Sequence, residues 1–193
     1  MLHADAIASL AARLESDPRP SPGPDDRLAA VLAPIVLEPE PTLVFTVRGA
    51  ALSRHAGEIS FPGGLQDPGE SLEGTALREA HEEIGLDPSL PRVLGALPPV
   101  HTFVSGILVV PFVGTLEREP AFSVNEREID EVLTFGVEQL GAVERAVTYD
   151  RPDGGVWQGF AYELDGHTVW GATGWMLHTL LEMMRKETRW PVT

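Results

Sequence analysis

The sequence predicts a domain of the α/β or α+β class, in which helices cover a mixed β-sheet. β-Branched, apolar runs recur at TLVFTV (42–47), PRVLGAL (91–97) and GILVVPFVGTL (106–116), which is the composition of half-buried and buried strands. Helical periodicity is clearest over residues 72–84 and 172–186. The two kinds of element mix without a regular βαβ alternation, internal repeat or low-complexity tract.

Taken in order, Leu2, Ile7, Leu10 and Leu14 fall on one stripe and predict a helix over residues 3–16 that packs on the body. Proline on alternate positions from Pro18 to Pro24 suits an extended connector. Residues 1–24 are therefore expected to be an appendage of a single domain running from 25 to 193. Residues 25–33 look briefly helical, with Pro34 as the stop. The three strands above follow, and Pro111 is expected at a bulge or strand end. Further strands are expected at 131–136, 143–149, 156–164 and 167–170. The final helix, 172–186, carries Met176, Leu177, Leu180, Leu181 and Met184 on one face.

Composition bounds the function. With 193 residues, 43% of them hydrophobic in type, the chain can bury a core without disulfides. It has no cysteine, which excludes thiol catalysis and thiolate metal sites. No apolar run reaches the ~18 residues of a membrane span, and the N-terminus lacks the basic opening of a secretory signal. A cytoplasmic protein is expected. The formal charge of −15 argues against nucleic acid or an anionic membrane as a partner, and it excludes partners better than it names one.

The helix over 72–84 carries the chemistry. Ser71 is its N-cap, and Gly85 is the left-handed residue that ends it. At ~100° per residue, Leu72, Ala76, Leu77, Ala80 and Ile84 share the core arc. Glu79 and Glu83 border that arc, with Glu82 and then Arg78 further round. Carboxylates spaced this closely repel by ~0.2–0.5 kcal/mol per pair. They are either a solvated acidic face or a site for something positive. The preceding loop, FPGGLQDPGE (61–70), offers glycine N–H groups to phosphate oxygens. Oxygen ligands without His or Cys select Mg²⁺ or Mn²⁺, which bridge to phosphates. The functional alternative is thus a cation-dependent polyphosphate site.

Residues 64–86, GLQDPGESLEGTALREAHEEIGL, resemble the Nudix box. Its Gly, Glu, Arg-Glu, aliphatic, Glu-Glu, Gly and aliphatic positions fall on Gly64, Glu70, Arg78, Glu79, Ala80, Glu82, Glu83, Gly85 and Leu86, with Ala80 smaller than usual. The resemblance implies a Nudix fold, an α/β/α sandwich, and hydrolysis of a nucleoside diphosphate linked to another moiety. It implies that Glu79, Glu82 and Glu83 hold divalent ions. Arg78 would hold the helix–loop geometry by an ion pair, and Glu70 would anchor it or support a metal-bound water.

The segment upstream, VFTVRGAALSRHAGEISFPGG (44–64), is similar to the extra motif of coenzyme A pyrophosphatases, matched at Thr46, Arg48, Gly57, Phe61, Pro62, Gly63 and Gly64. Gly49 and Ser53 depart from it, standing where Ser and Arg are usual, although Arg54 and His55 adjoin. Segments 105–114, 125–133 and 169–177 extend the likeness over roughly residues 34–180. The implied reaction cleaves coenzyme A, or a derivative, to 3′,5′-ADP and 4′-phosphopantetheine. An ADP-ribose pyrophosphatase and a non-catalytic nucleotide sensor are the alternatives. Glu82 and Glu128 are the candidate bases. Arg48, His55, Gly63 and Gly64 are the candidate substrate contacts, against a strand-end ion pair for Arg48 and a plain loop residue for His55. Trp170 and Trp175 are expected to pack the C-terminal helix, with adenine stacking as the alternative.

Overall fold

A computed structural model of the chain describes residues 4–50, 57–102, 106–150 and 154–186. Two long strands form its centre, β1 (Arg27–Glu38) and a later strand (Ile107–Arg118), paired parallel from Arg27↔Ile107 to Glu38↔Arg118. Both are almost wholly buried. Side chains of β1 alternate between two apolar clusters: Ala29, Val31, Ala33, Ile35 and Leu37 on one face, Ala30, Leu32 and Val36 on the other. Burial on both faces is what near-continuous apolar strands are suited to.

Residues 25–33 are therefore not a helix. Alanines 29, 30 and 33 favour a helix locally by a few tenths of a kcal/mol each, but a strand here gains a ladder on both edges and apolar contacts on both faces. Pro34 lies inside β1, at the point where its antiparallel neighbour changes. The neighbour is β4 (Gly63–Leu65) up to Val31 and β2 (Thr42–Arg48) from Ile35 onwards. The other central strand repeats the device. Its antiparallel neighbour is β5 (Arg92–Ala96) as far as Phe112 and β6 (Val100–Thr102) from Val109, so Pro111 sits in the gap. Each proline falls where the ladder requires no N–H from it on that side.

Numbered in chain order, the central partner of β1 is β7 (Ile107–Arg118). Outside β2 lie β3 (Ile59–Ser60) and β8 (Ile129–Gly136), completing an eight-stranded mixed sheet among the described residues. A smaller antiparallel sheet holds β9 (Arg145–Asp150), β10 (Val156–Leu164) and β11 (His167–Val169). The strand expected at 143–149 thus begins two residues later. Helix α3 (Val137–Val143) precedes it, burying Val137 and Leu140.

One face of the large sheet is covered by α2 (Leu72–Ile84), through Ala76, Ala80 and Ile84. The other cluster takes in α1 (Ala4–Ala11), through Ala6 and Leu10, and α4 (Gly171–Arg185), through Met176, Leu177, Leu180, Leu181 and Met184. The result is an α/β/α sandwich. Helix α1 is shorter than the apolar stripe suggests, yet Leu14 beyond its end is still buried and Glu15 bridges to Ala96 by backbone hydrogen bonds. No helix among the described residues is long and apolar enough to cross a membrane.

Candidate active site

Helix α2 is fixed at both ends. At its start the Ser71 hydroxyl accepts from Gly74 N–H at 3.1 Å. At its end Gly85 adopts φ 67°, a left-handed turn that favours glycine. Two of the carbonyls left unpaired by the last turn are taken by an incoming loop, with Ser123 N–H donating to Ile84 O and Asn125 N–H to Glu83 O, each at 2.9 Å. That docking brings Glu128 to the acidic face of α2. Gly49 N–H then donates to Glu128 O at 2.8 Å, tying the same loop to the end of β2.

The order of exposure along α2 follows the helical arc. Glu83 is buried at 3%, the Glu79 side chain is 16% exposed and that of Glu82 is 53% exposed. Arg78 organises them. Its Nε and Nη2 donate to the two oxygens of Glu70 at 3.0 and 3.1 Å, its Nη2 also reaches Leu65 O, and its Nη1 bridges Glu79 and Glu82 at 2.8 and 3.0 Å. Glu70 accepts further from the Thr75 hydroxyl at 2.7 Å and Asp67 N–H at 3.3 Å. The Arg78 guanidinium, with Thr75, holds the Glu70 carboxyl at about 2. Glu70 in turn holds the Arg78 guanidinium above its ordinary value. This is a charge-assisted fork that pins the loop to the helix.

The other carboxylates are short of positive charge. Burial pushes Glu83 up to about 7, against the Gly63 N–H that donates to its Oε2 at 3.1 Å, with the charges of Glu79 and Glu128 adding repulsion. Burial raises Glu79 too, despite its bond to Arg78, and Glu82 and Glu128 add to that. Among the described residues, one oxygen each of Glu79, Glu82 and Glu83 accepts a hydrogen bond and the other accepts none. No three acidic or imidazole groups there close into a preformed cage, because Arg78 Nη1 stands between Glu79 and Glu82. The donor set itself, all carboxylate oxygen with charge to spare, fits a hard divalent cation.

Both candidate glycines are close-approach positions. A Cβ at Gly63 would lie 2.4 Å from Ala30 O, and one at Gly64 would lie 2.4–2.6 Å from the Glu79 carboxylate atoms. Arg48 ends β2 half-buried. Its charge lowers Glu83, its Nε is buried with no hydrogen-bond partner, and it forms no ion pair among the described residues. His55 lies outside the described residues, as do Ser53 and Arg54.

Trp170 and Trp175 do not bury themselves against the C-terminal helix. They stand 44% and 42% exposed beside a cavity, with Tyr149 and Phe160 as ring neighbours at 5.8 and 5.5 Å. Thr75, Asp67 N–H and Leu65 O were not anticipated as partners of the fork. A threonine five residues after Glu70 is the only trace the sequence gives of them.

Residues 26–154 match the family model described as the NUDIX domain. The chain is similar to the protein named "uncharacterized Nudix hydrolase NudL" of Pectobacterium atrosepticum, at 41% identity over 72% of each chain. It is 40% identical to the protein of the same name in Escherichia coli O7:K1, over 80% of this chain and 81% of that one. Its fold is similar to the solution structure of the E. coli ORF135 protein, with a TM-score of 0.53 at 17% identity, covering 87% of this chain and 99% of that one. A domain match over more than half the chain, and relatives this near over most of theirs, mean that this protein belongs to the Nudix hydrolase family.

Proposed function

We propose that this Nudix hydrolase cleaves the diphosphate bond of coenzyme A or its derivatives, releasing 3′,5′-ADP and 4′-phosphopantetheine or its acyl form, and that it depends on Mg²⁺ or Mn²⁺. The observation that carries a diphosphate substrate is the buried, unpartnered Nε of Arg48 beside carboxylates that lack positive charge. A phosphate oxygen satisfies that donor, and the cation that accompanies a diphosphate relieves the carboxylates. Coenzyme A is favoured over other diphosphates by the segment 44–64, whose Arg48 and Gly63 flank the acidic cluster.

Glu79, Glu82 and Glu83 would hold the cation, which when bound neutralises the diphosphate and lowers the pKa of water. The remaining work is done by the chain. Water attacks one phosphorus, the bridging P–O bond breaks, and a carboxylate takes the proton. Glu128 and Glu82 are the two acceptors in reach of the cluster. Glu128 is exposed and its charge acts on both Glu79 and Glu83, whereas one Glu82 oxygen is already committed to Arg78. Arg78 and Glu70 are positioning residues. They hold the glycine loop against α2, so that the reacting groups need no reorganisation.

The test is turnover of coenzyme A, ADP-ribose, NADH and diadenosine polyphosphates with Mg²⁺ or Mn²⁺, with products identified by mass. Coenzyme A should give the highest kcat/KM. ADP-ribose turning over far faster would overturn the substrate reading, and failure of all four to turn over would favour a nucleotide sensor.

A further inference from the structure

The turn that carries Glu128 is built around Asn125. The sequence NERE (125–128) has the spacing of a helix-starting capping box, an Asn with a Glu three residues later. Asn125 O accepts from Glu128 N–H and Ile129 N–H, each at 2.9 Å, which closes one helical turn. Asn125 Oδ1 accepts from Arg127 N–H at 3.3 Å, as a cap does. In an ordinary box the glutamate then folds back onto the N–H of the capping residue. Here that N–H is already engaged, donating to Glu83 O at 2.9 Å. The bond that ties the turn to α2 therefore also releases the Glu128 carboxylate from capping.

The same turn is held from its other side. Gly49 N–H donates to Glu128 O and Ala50 N–H to Asp130 Oδ2, each at 2.8 Å. With the backbone clamped between α2 and the end of β2, what remains to be fixed is the Glu128 side chain. Among the described residues its hydrogen-bond partner is the Asn125 amide. Because Oδ1 of that amide accepts from Arg127, the end that faces Glu128 is Nδ2, 3.5 Å from Oε1. Contacts to catalytic groups are often this long before substrate arrives. An Asn side chain is both acceptor and donor, so one amide caps the turn and steers the carboxylate, whereas Asp would cap without donating.

We propose that Asn125 is a positioning residue of the reaction: its backbone sets the base Glu128 against the cation ligand Glu83, and its amide aims the carboxylate into the site. The role rests on Glu128 being the base and is independent of which diphosphate is cleaved. Glu128 takes the proton from the attacking water, and Asn125 acts through Glu128 without taking a proton itself.

The test is kcat and KM, on whichever diphosphate the enzyme turns over, for Asn125→Ala, Asn125→Asp and Glu128→Gln, and for Asn125→Ala combined with Glu128→Gln. Asn125→Ala should lower kcat by ~10–10²-fold, the scale of a misplaced reacting group, with KM and calorimetric cation binding unmoved. Asn125→Asp keeps the acceptor for Arg127 N–H and should keep the parent's melting temperature. It should still lose kcat to a similar degree, because a carboxylate there repels Glu128. In the Glu128→Gln background, Asn125→Ala should cost less than about twofold more, since groups acting as a unit are not additive. A residue that merely caps the turn would behave otherwise: Asn125→Asp would restore kcat, and the combined variant would lose the product of the single factors. Either result, or an unchanged kcat in Asn125→Ala, would overturn the proposal, and an impaired Glu128→Gln would still keep the base assignment. An unimpaired Glu128→Gln would remove the base assignment and this role with it.

Discussion

Gly64 lies against Glu79 so closely that a methyl group in place of its hydrogen would sit 2.4–2.6 Å from the carboxylate. What would have to move is the far end of a flexible side chain. Gly64→Ala should therefore cost little stability, within about 1 kcal/mol, yet displace a proposed cation ligand. Misplacement by ~1 Å is worth up to ~10²-fold in rate. Gly63→Ala meets backbone instead, Ala30 O at 2.4 Å and the Val31 Cα at 2.5 Å, and should destabilise by ~1–3 kcal/mol or more. Thermal denaturation beside steady-state rates separates the pair. Equal stability losses in both variants would refute the distinction.

Glu83 is a carboxylate that folding makes costly to ionise, with its acidity pushed to about 7. Glu83→Gln keeps an oxygen for the Gly63 N–H and removes the charge. The cation-free variant should be at least as stable as the parent at pH 8, by on the order of 1 kcal/mol. Turnover should fall by ~10³-fold or more, and added Mg²⁺ or Mn²⁺, expected to raise the melting temperature of the parent, should no longer do so in the variant. A fully active variant would remove the proposed role of the acidic cluster in holding cations.

Glu70 carries the opposite sign. The Arg78 and Thr75 hydrogen bonds hold it at about 2 when folded, below the ~4.3 of an unfolded glutamate. Its contribution is complete above ~pH 4.3 and is lost as pH falls from there toward 2. Glu70→Gln should flatten that part of the acid limb of the stability curve, measured by urea denaturation between pH 2.5 and 6, while leaving the slope above pH 6 as it was. An unchanged acid limb would show that Arg78 finds other partners.

The box helix was legible because its information is local. Ser71, the apolar arc and Gly85 lie within one helix and its caps, and helical geometry orders Glu83, Glu79 and Glu82 by burial without reference to anything else. Strand β1 was not legible, because what makes it a strand is Ile107 to Arg118, some eighty residues away. Its own alanines indicate a helix. The short strands β3, β4 and β6 are two or three residues long and carry no period of their own. Arg78 was readable as a helix–loop clamp through the family resemblance, but its bonds to Glu79 and Glu82 depend on a rotamer. Trp170 and Trp175 misled for a related reason. An aromatic on a terminal helix implies packing, and only the position of the small sheet decides whether there is a wall or a void beside it.

The choice of base turns on Glu128. Its loop is held by Asn125 N–H on Glu83 O and by Gly49 N–H on Glu128 O, so the carboxylate is exposed but its backbone is anchored. Glu128→Gln should lower kcat by ~10²–10⁴-fold, the range of general-base catalysis, and leave cation binding intact by calorimetry. Glu82→Gln should weaken cation activation instead. An unimpaired Glu128→Gln enzyme would transfer the base role to Glu82. Gly49→Ser probes the same anchor more gently, since a Cβ there would sit 3.3 Å from Glu128 O. It should perturb kcat without changing the protein's fold.

Glu144, at the end of α3, is the polar joint between the small sheet and α4. Tyr162 Oη donates to it at 2.6 Å, Arg185 Nη1 donates at 2.9 Å, and His178 Nδ1 lies 3.2 Å away. Burial alone would raise this carboxyl, but those bonds outweigh it and its acidity is held below the ordinary glutamate value. Removing it leaves the buried Tyr162 phenol without its acceptor, while Arg185 keeps Glu182 and Gly141 O, so Glu144→Ala should cost ~1–3 kcal/mol. Glu144→Gln, which keeps an acceptor, should cost less. His178 also stacks on Phe160 with ring centroids 3.4 Å apart, and Phe160 supports Trp175 at the cavity. The loss should therefore reach tryptophan emission as well as the melting temperature. A Glu144→Ala protein with native stability and unshifted fluorescence would show that the aromatic cluster holds α4 in place without the joint.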